Sequence, residues 1–237
     1  MQAQAFVIGD IHGMHTQFER LLAHWQSETQ QLILVGDLMD RGPNSLAVIK
    51  RVRQLQQEAG AICLCGNHEA MLLEMLTQPE ERYFERYVRN GGWTTLSELL
   101  NTPVETLQQW AIPEIVTRVK TQHDWLVSWL ESLPLYVEFG NFVVVHAGVD
   151  LTLENWQQSS RRDFVWIREP FHELPNTTGR QFIFGHTPTN SLHGKIGHYD
   201  IWQDANKIGI DGGAVYGGVL HGIVIDHHHL LTNYHVK

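Results

Sequence analysis

An α/β fold with parallel strand pairing and a helical insertion follows from three features of this 237-residue sequence. Short, β-rich apolar runs recur, each breaking into Gly, Asp, Asn or His. Helical segments separate the first three runs. The middle third carries helix signals and no strand signals.

In chain order the runs are AFVIGD (5–10), LILVGD (32–37), AICLCGNHE (61–69), FVVVHAG (142–148), FIFGHT (182–187) and IGIDGG (208–213). Continuous apolar runs punctuated by glycine mark strands buried on both faces. Segments 14–27 and 44–59 read as helices, so the first three strands pair in parallel through helical crossovers. Sites in such sheets lie beyond the carboxyl ends of the strands. The polar residues at the six exits are therefore expected to gather in one place. Residues 69–133 read as a helical insertion beside that place, within a single domain spanning 1–237. There TPVE (102–105) offers a helix start, with Thr102 as N-cap, Pro103 at the first helical position and Glu105 closing a capping box. Ile115, Val119, Leu126 and Leu130 follow at helical spacing, and Pro134 ends the run. The tail DHHHLLTNYHVK, despite its three histidines, reads as surface or edge strand.

A formal charge of −9, with no Lys/Arg run, excludes a general nucleic-acid binder, because phosphate backbones are held by clustered bases. The two cysteines, Cys63 and Cys65, give no disulfide framework and are expected to fill a buried strand in a reducing compartment. The N-terminus MQAQAFVIGD enters a strand without a basic region or cleavage site, and no apolar run can span a bilayer. A cytoplasmic protein with neither a nucleic-acid nor a membrane partner is expected. No sequence feature sets its oligomeric state.

Chemistry concentrates at the strand exits. Asp10 and His12 come from one loop, Asp37 from the next exit, and Asn67, His146 and His186 from one exit each. Hard oxygen donors mixed with imidazoles, with no thiolate required, suit Mn²⁺, Fe or Zn²⁺ better than Ca²⁺ or a structural zinc. Six donors are many for one ion and about right for two ions sharing a carboxylate, an arrangement suited to displacement at phosphorus. Two divalent cations, set against Asp10, Asp37 and a bridging hydroxide, leave the site at about +1 and attractive to a phosphate dianion. Asn67 preserves that surplus, where an Asp would cancel it. Within GDLMDRGP (36–43), Arg41 sits close enough to Asp37 to clamp a phosphate, and Arg168 in FVWIREPF (164–171) offers a second clamp.

The motifs GDIHG (9–13), GDLMDRG (36–42) and GNHE (66–69), followed by VHAG (145–148) and GHT (185–187), resemble the PPP-type metallophosphatases of the calcineurin-like metallophosphoesterase class. NGGW (90–93) and VWIRE (165–169) resemble the branch that contains the phage lambda and bacterial serine/threonine phosphatases. The resemblance implies a β-sandwich of two mixed sheets flanked by helices. It implies that Asp10 and His12 bind a first metal, that Asp37 bridges, and that Asn67, His146 and His186 complete a second, with Mn²⁺ as first choice. It further implies His68 as general acid oriented by Asp40, Arg41 and Arg168 as phosphate clamps, and direct in-line attack by a metal-bound hydroxide without a phosphoenzyme. Asn67 and His68, as neighbours on an extended exit, are expected to diverge, one toward metal and one toward the leaving group.

The implied activity is hydrolysis of phosphomonoesters, first of phosphoserine and phosphothreonine in proteins and also of phosphotyrosine or small phosphorylated molecules. A symmetrical dinucleoside tetraphosphatase is the competing reading. That group often lacks an acid at the Asp40 position and reads GNHD, and an anhydride leaving group depends less on an acid. A catalytically inactive binding module on the same fold would show an eroded ligand or acid, and a nuclease would need a basic surface; neither sign is present. Glu69, Trp93, Asp211 and Tyr216 receive no assigned role.

Overall fold

Side-chain alternation along the strands sorts the core into layers. The computed structural model describes residues 2–78 and 80–237, and its strands form two five-stranded mixed sheets. β1 (Gln4–Ile8), β2 (Gln30–Leu34) and the short β3 (Ile62–Cys63) run parallel in the first sheet. β4 (Tyr136–Phe139), β5 (Phe142–Val145), β6 (Gln181–Phe184), β7 (Trp202–Asp204) and β8 (Lys207–Gly209) form the second. Its order is β4-β5-β6-β8-β7, with β5, β6 and β8 parallel and the two edges antiparallel. β9 (Leu220–Ile225) and β10 (Leu230–Val236) then return to the first sheet, antiparallel beside β1, giving β10-β9-β1-β2-β3.

One parity of each strand faces the opposite sheet. Ala5, Val7, Ile33, Val35, Leu64, Ile223 and Ile225 from the first sheet meet Phe142, Val144, Ile183, Ile208 and Ile210 from the second in one apolar seam. The other parity, including Phe6, Ile8, Leu32, Leu34, Cys63, Val143, Val145, Phe182 and Phe184, packs outward with the helices. Both cysteines are fully buried there, as fillers. Burial on both faces explains why the strands read as continuous apolar runs.

Helices α1 (His15–Leu22) and α2 (Ser45–Ala59) are the crossovers, and α3 (Asn67–Thr77) follows β3. The insertion continues through α4 (Glu81–Tyr87), α5 (Trp93–Leu100), α6 (Val104–Leu107), α7 (Ile112–Gln122) and α8 (Leu126–Ser132); α9 (Arg161–Trp166) and α10 (Thr189–Leu192) are short pieces between second-sheet strands. Ile115, Val119, Leu126 and Leu130 are all buried, on two helices rather than one. No helix among the described residues is long and apolar enough to cross a membrane.

Local expectations fail in two places. Pro103, not Thr102, is the N-cap of α6, and no side chain caps that helix, because the Thr102 hydroxyl donates to the Leu100 carbonyl instead (2.9 Å). Asn67 and His68 open α3 rather than lying on an extended exit; they diverge because successive helical residues differ by about 100°. The six polar exits belong to two sheets, three to each, so the gathering point is the end of the seam. The tail forms an edge strand preceded by a surface turn holding His228 and His229. Trp93 packs against Phe84 and the core rather than lining a groove (5.5 Å between ring centroids).

Ile183→Ala tests the seam. Removing this fully buried side chain should lower stability by about 2–5 kcal/mol in urea denaturation.

Candidate metal centre

Asp37 stands at the centre of the gathered exits, with 2 % of its surface exposed. Its Oδ2 lies 3.5 Å from His12 Nε2, and its Oδ1 lies 3.4 Å from His146 Nε2. Two groups of donor atoms close enough to share an ion meet at this carboxylate: His12, Asp37 and His68, and Asp37, His146 and His186. Asp10 stands beside them, outside both groups, and its carboxylate accepts the His186 backbone N–H (3.0 Å). Asn67 joins the second group. Its Oδ1 lies 3.0 Å from His146 Nε2 and 2.7 Å from His186 Nδ1.

Backbone carbonyls fix which ring nitrogens are free. His146 Nδ1 donates to Val35 O (3.0 Å) and His12 Nδ1 donates to Met39 O (2.8 Å), so each Nε2 keeps its lone pair. The His146 lone pair therefore faces two further acceptors, Asn67 Oδ1 and Asp37 Oδ1. Convergent acceptors with no proton between them are a cation's donor set, and these residues fit one. Burial, with His68 nearby, pushes His12 down to about 3, and burial also lowers His146 and His186, which favours the proton-free form that ligation needs. Burial opposes the charge on Asp37, but the surrounding imidazoles hold it well below the carboxylate range. Burial raises Asp10, with help from Asp211 and Asp37, a repulsion that a cation relieves.

The local backbone is shaped for this. Among the described residues, five of the eight non-glycine positions in the left-handed region are His12, Asp37, Asp40, Arg41 and His186. Such conformations cost about 1–3 kcal/mol each and persist where the surroundings over-determine them. Ile11 and His12 both donate their N–H to Asp37 O, and Gly13 donates to Leu38 O, lacing the first two exit loops together. A Cβ on Gly66 would strike Asp37 Oδ1, and one on Gly185 would strike Asp10 Oδ1. The glycines of GNHE and GHT thus admit a carboxylate against the backbone.

Glu69, unassigned by sequence, is fully buried and works as a brace. Its carboxylate accepts the N–H groups of Asp37 (2.8 Å), Leu38 (2.9 Å) and Gly66 (2.9 Å), tying the second exit to the third. Burial and the Asp37 charge push its carboxyl up to about 7. His68, also fully buried, donates from Nδ1 to Asp40 Oδ2 (2.6 Å), while its Nε2 has no partner among the described residues. Burial alone would lower this imidazole, but Asp37 and the bond to Asp40 outweigh it and raise it. Asp40 Oδ1 accepts from Tyr87 Oη (2.8 Å) and Thr95 Oγ1 (2.5 Å), both contributed by the insertion.

A cavity of about 140 Å³ opens over this cluster, lined by Asp37, Asn67, Arg41, Arg168 and Tyr216 among others. Arg41 donates to His12 Nε2 (2.6 Å), and its backbone N–H is held by Gly91 O (3.2 Å). Arg168 donates to Thr187 Oγ1 (3.1 Å). The loop after it is pinned by Lys207, whose Nζ donates to the carbonyls of Phe171, His172 and Leu174. Asp211 accepts the Gly213 N–H (2.9 Å), so it forms a turn and lines the cavity at once. Burial pushes it up to about 6. Tyr216 is 60 % exposed, with the Arg41 guanidinium over its ring.

The profile of the calcineurin-like phosphoesterase family matches residues 4–216. The chain is 30% identical to serine/threonine-protein phosphatase 1 of Salmonella typhimurium, over 91% of this chain and 88% of that protein. It is 29% identical to the asymmetrical bis(5′-nucleosyl)-tetraphosphatase PrpE of Anoxybacillus flavithermus, over 90% of this chain and 87% of that protein. Its fold resembles that of a cold-active protein tyrosine phosphatase, with a TM-score of 0.62 at 16% identity, over 100% of this chain and 79% of that one.

The brace can be tested by Glu69→Gln. An amide offers one acceptor oxygen where three N–H groups converge, so the Asp37 and Gly66 loops lose register. Metal affinity, followed by titration with elemental analysis, should fall by roughly 10- to 100-fold, with the fold retained by circular dichroism.

Proposed function

The chain belongs to the calcineurin-like phosphoesterase family and is a hydrolase of phosphate esters; from that premise we propose that it is a phosphomonoesterase acting on phosphoserine and phosphothreonine in proteins. The observation that carries this reading is the buried His68–Asp40 pair, with His68 Nε2 unpartnered. A serine or threonine alkoxide is a poor leaving group and needs a proton as it departs. An imidazole held by a carboxylate is suited to give one from Nε2.

In this reading Asp10, His12, Asp37, Asn67, His146 and His186 hold two divalent cations, with Mn²⁺ ahead of Fe or Zn²⁺. Bound there, the cations would supply Lewis acidity and a nucleophilic water at neutral pH. Arg41 and Arg168, which both line the cavity, grip the non-bridging phosphoryl oxygens. Asp40 orients His68 and stabilises its charged form. Tyr87 and Thr95 occupy the other carboxylate oxygen of Asp40 and keep it from turning away.

The PrpE relative favours a second reading, hydrolysis of a dinucleoside tetraphosphate at the same centre. Turnover of phosphoserine, phosphothreonine and phosphotyrosine peptides against diadenosine tetraphosphate separates the two. The proposal expects the phosphoserine and phosphothreonine peptides to lead, and a lead for the tetraphosphate overturns it. The nucleotide products then report the cut: two ADP for symmetrical cleavage, AMP and ATP for asymmetrical.

His68→Asn should lower turnover of a phosphoserine peptide by roughly 10²–10⁴-fold while metal content stays at the wild-type level. Loss of metal in that variant would make His68 a ligand, consistent with its place beside His12 and Asp37.

A further inference from the structure

We propose that a cleft adjoining the candidate active site is a subsite for acidic side chains that flank the phosphorylated residue of a protein substrate. This inference rests on the phosphoprotein reading above. The cleft, about 560 Å³, runs along α3 between α4 and α9, and it shares Trp166 with the cavity over the metal centre. The Trp166 ring stands edge-on to His186, 5.7 Å between centroids, as the wall between the two spaces. Ala70, on the cleft wall, is two residues beyond His68. A peptide whose phosphate occupies the cavity therefore has its neighbouring residues within reach of the cleft.

Its charge runs against that of the whole chain. Arg86, Arg161 and Arg162 line it with Glu74 as the one carboxylate, a local surplus of positive charge on a protein whose net charge is −9. Arg86 pairs with Glu74, yet its Nε is buried without an acceptor among the described residues. Among the described residues Arg161 donates only to the Cys65 sulfur (3.4 Å), a weak acceptor. Arg161 and Arg162 open α9, where the helix dipole disfavours positive charge. A local rule broken in this way is expected where function requires it. The capping box of Ser160 and Asp163 takes up helix-terminal N–H groups, so guanidinium side chains supply the anion donors.

Guanidinium forks match carboxylates bidentately, and the Arg86 guanidinium lies over the ring of Tyr83, which lines the cleft with it. Among the described residues the lining includes no glycine turn of the kind that cradles a phosphate chain through backbone N–H groups. That favours acidic side chains spaced along a peptide over a polyphosphate.

The test compares kcat/KM of the metal-loaded full chain on two phosphoserine peptides that differ only in their flanks, alanine against glutamate. The acidic peptide should be favoured roughly tenfold, mostly through KM, and the preference should shrink as salt screens it. In the double variant Arg86→Gln with Arg162→Gln the ratio should fall to about one, the value at which charge recognition is lost. Equal kcat/KM for both peptides in the wild-type protein overturns the proposal. So does a double variant that loses turnover of diadenosine tetraphosphate but keeps the peptide ratio, because the cleft would then hold a phosphate chain. Fluorescence anisotropy with an unphosphorylated acidic peptide separates this inference from the reading beneath it. Binding by the wild type that the double variant loses supports the subsite even if no phosphopeptide is hydrolysed, and equal binding by both overturns it.

Discussion

One buried carboxylate, that of Asp37, imposes its requirements on everything around it. A charge removed from water at the end of an apolar seam is costly unless it is compensated on every side. Its Oδ1 takes the His68 backbone N–H (3.0 Å) and faces His146, while its Oδ2 faces His12. Its own backbone is held from below by Glu69 and from the side by Ile11 and His12. The left-handed backbones at His12, Asp37 and His186 follow from the same demand, since the loops must double back to aim their side chains at one point. Gly66 lies where any side chain would displace Asp37 Oδ1.

The helical insertion participates in this arrangement rather than decorating it. Tyr87 and Thr95 complete the hydrogen bonding of Asp40, and Gly91 O holds the Arg41 backbone. Glu98 reaches from α5 to the first N–H groups of α2, those of Ser45 and Leu46 (2.9 Å each). The sandwich thus supplies the donor atoms, and the insertion fixes Asp40, the carboxylate that holds His68, together with the Arg41 backbone. Of these contacts the bonds to Asp40 are buried and those from Glu98 are part-buried.

Much of this was legible in the sequence because strand exits in parallel pairs concentrate polar residues, and AFVIGD, LILVGD, FVVVHAG and FIFGHT announce both the strand and its functional end. What lay beyond reach has physical reasons. β4, β7 and β10 are edge strands, part-exposed and without a polar break, so the recurring pattern did not cover them. β9 is buried throughout, and its run LHGIVI was readable but carries no site residue. The bonds of Glu69 to Asp37 and Leu38, and those of Tyr87 and Thr95 to Asp40, span 31 to 55 positions of sequence, and local spacing does not encode them. Thr102 shows the converse: its local signal was strong, and a competing carbonyl at Leu100 took the hydroxyl.

The placement of these groups at the end of the seam has a mechanical consequence. Asp10 and Val35 belong to the first sheet's exits and His146 and His186 to the second's, so the bonds from His186 N–H to Asp10 and from His146 Nδ1 to Val35 cross between the sheets at one end of the apolar seam, while at the other end Asn141 N–H donates to His227 O (2.7 Å) and Gln181 Nε2 to His228 O (3.3 Å). Apolar contact resists separation but hardly resists sliding, whereas directional bonds resist both. The sandwich is therefore stitched at both ends of the seam, with the donor cluster at one of them. Sliding of one sheet over the other is resisted at both ends, so directional bonds as well as packing hold the spacing of the donor atoms.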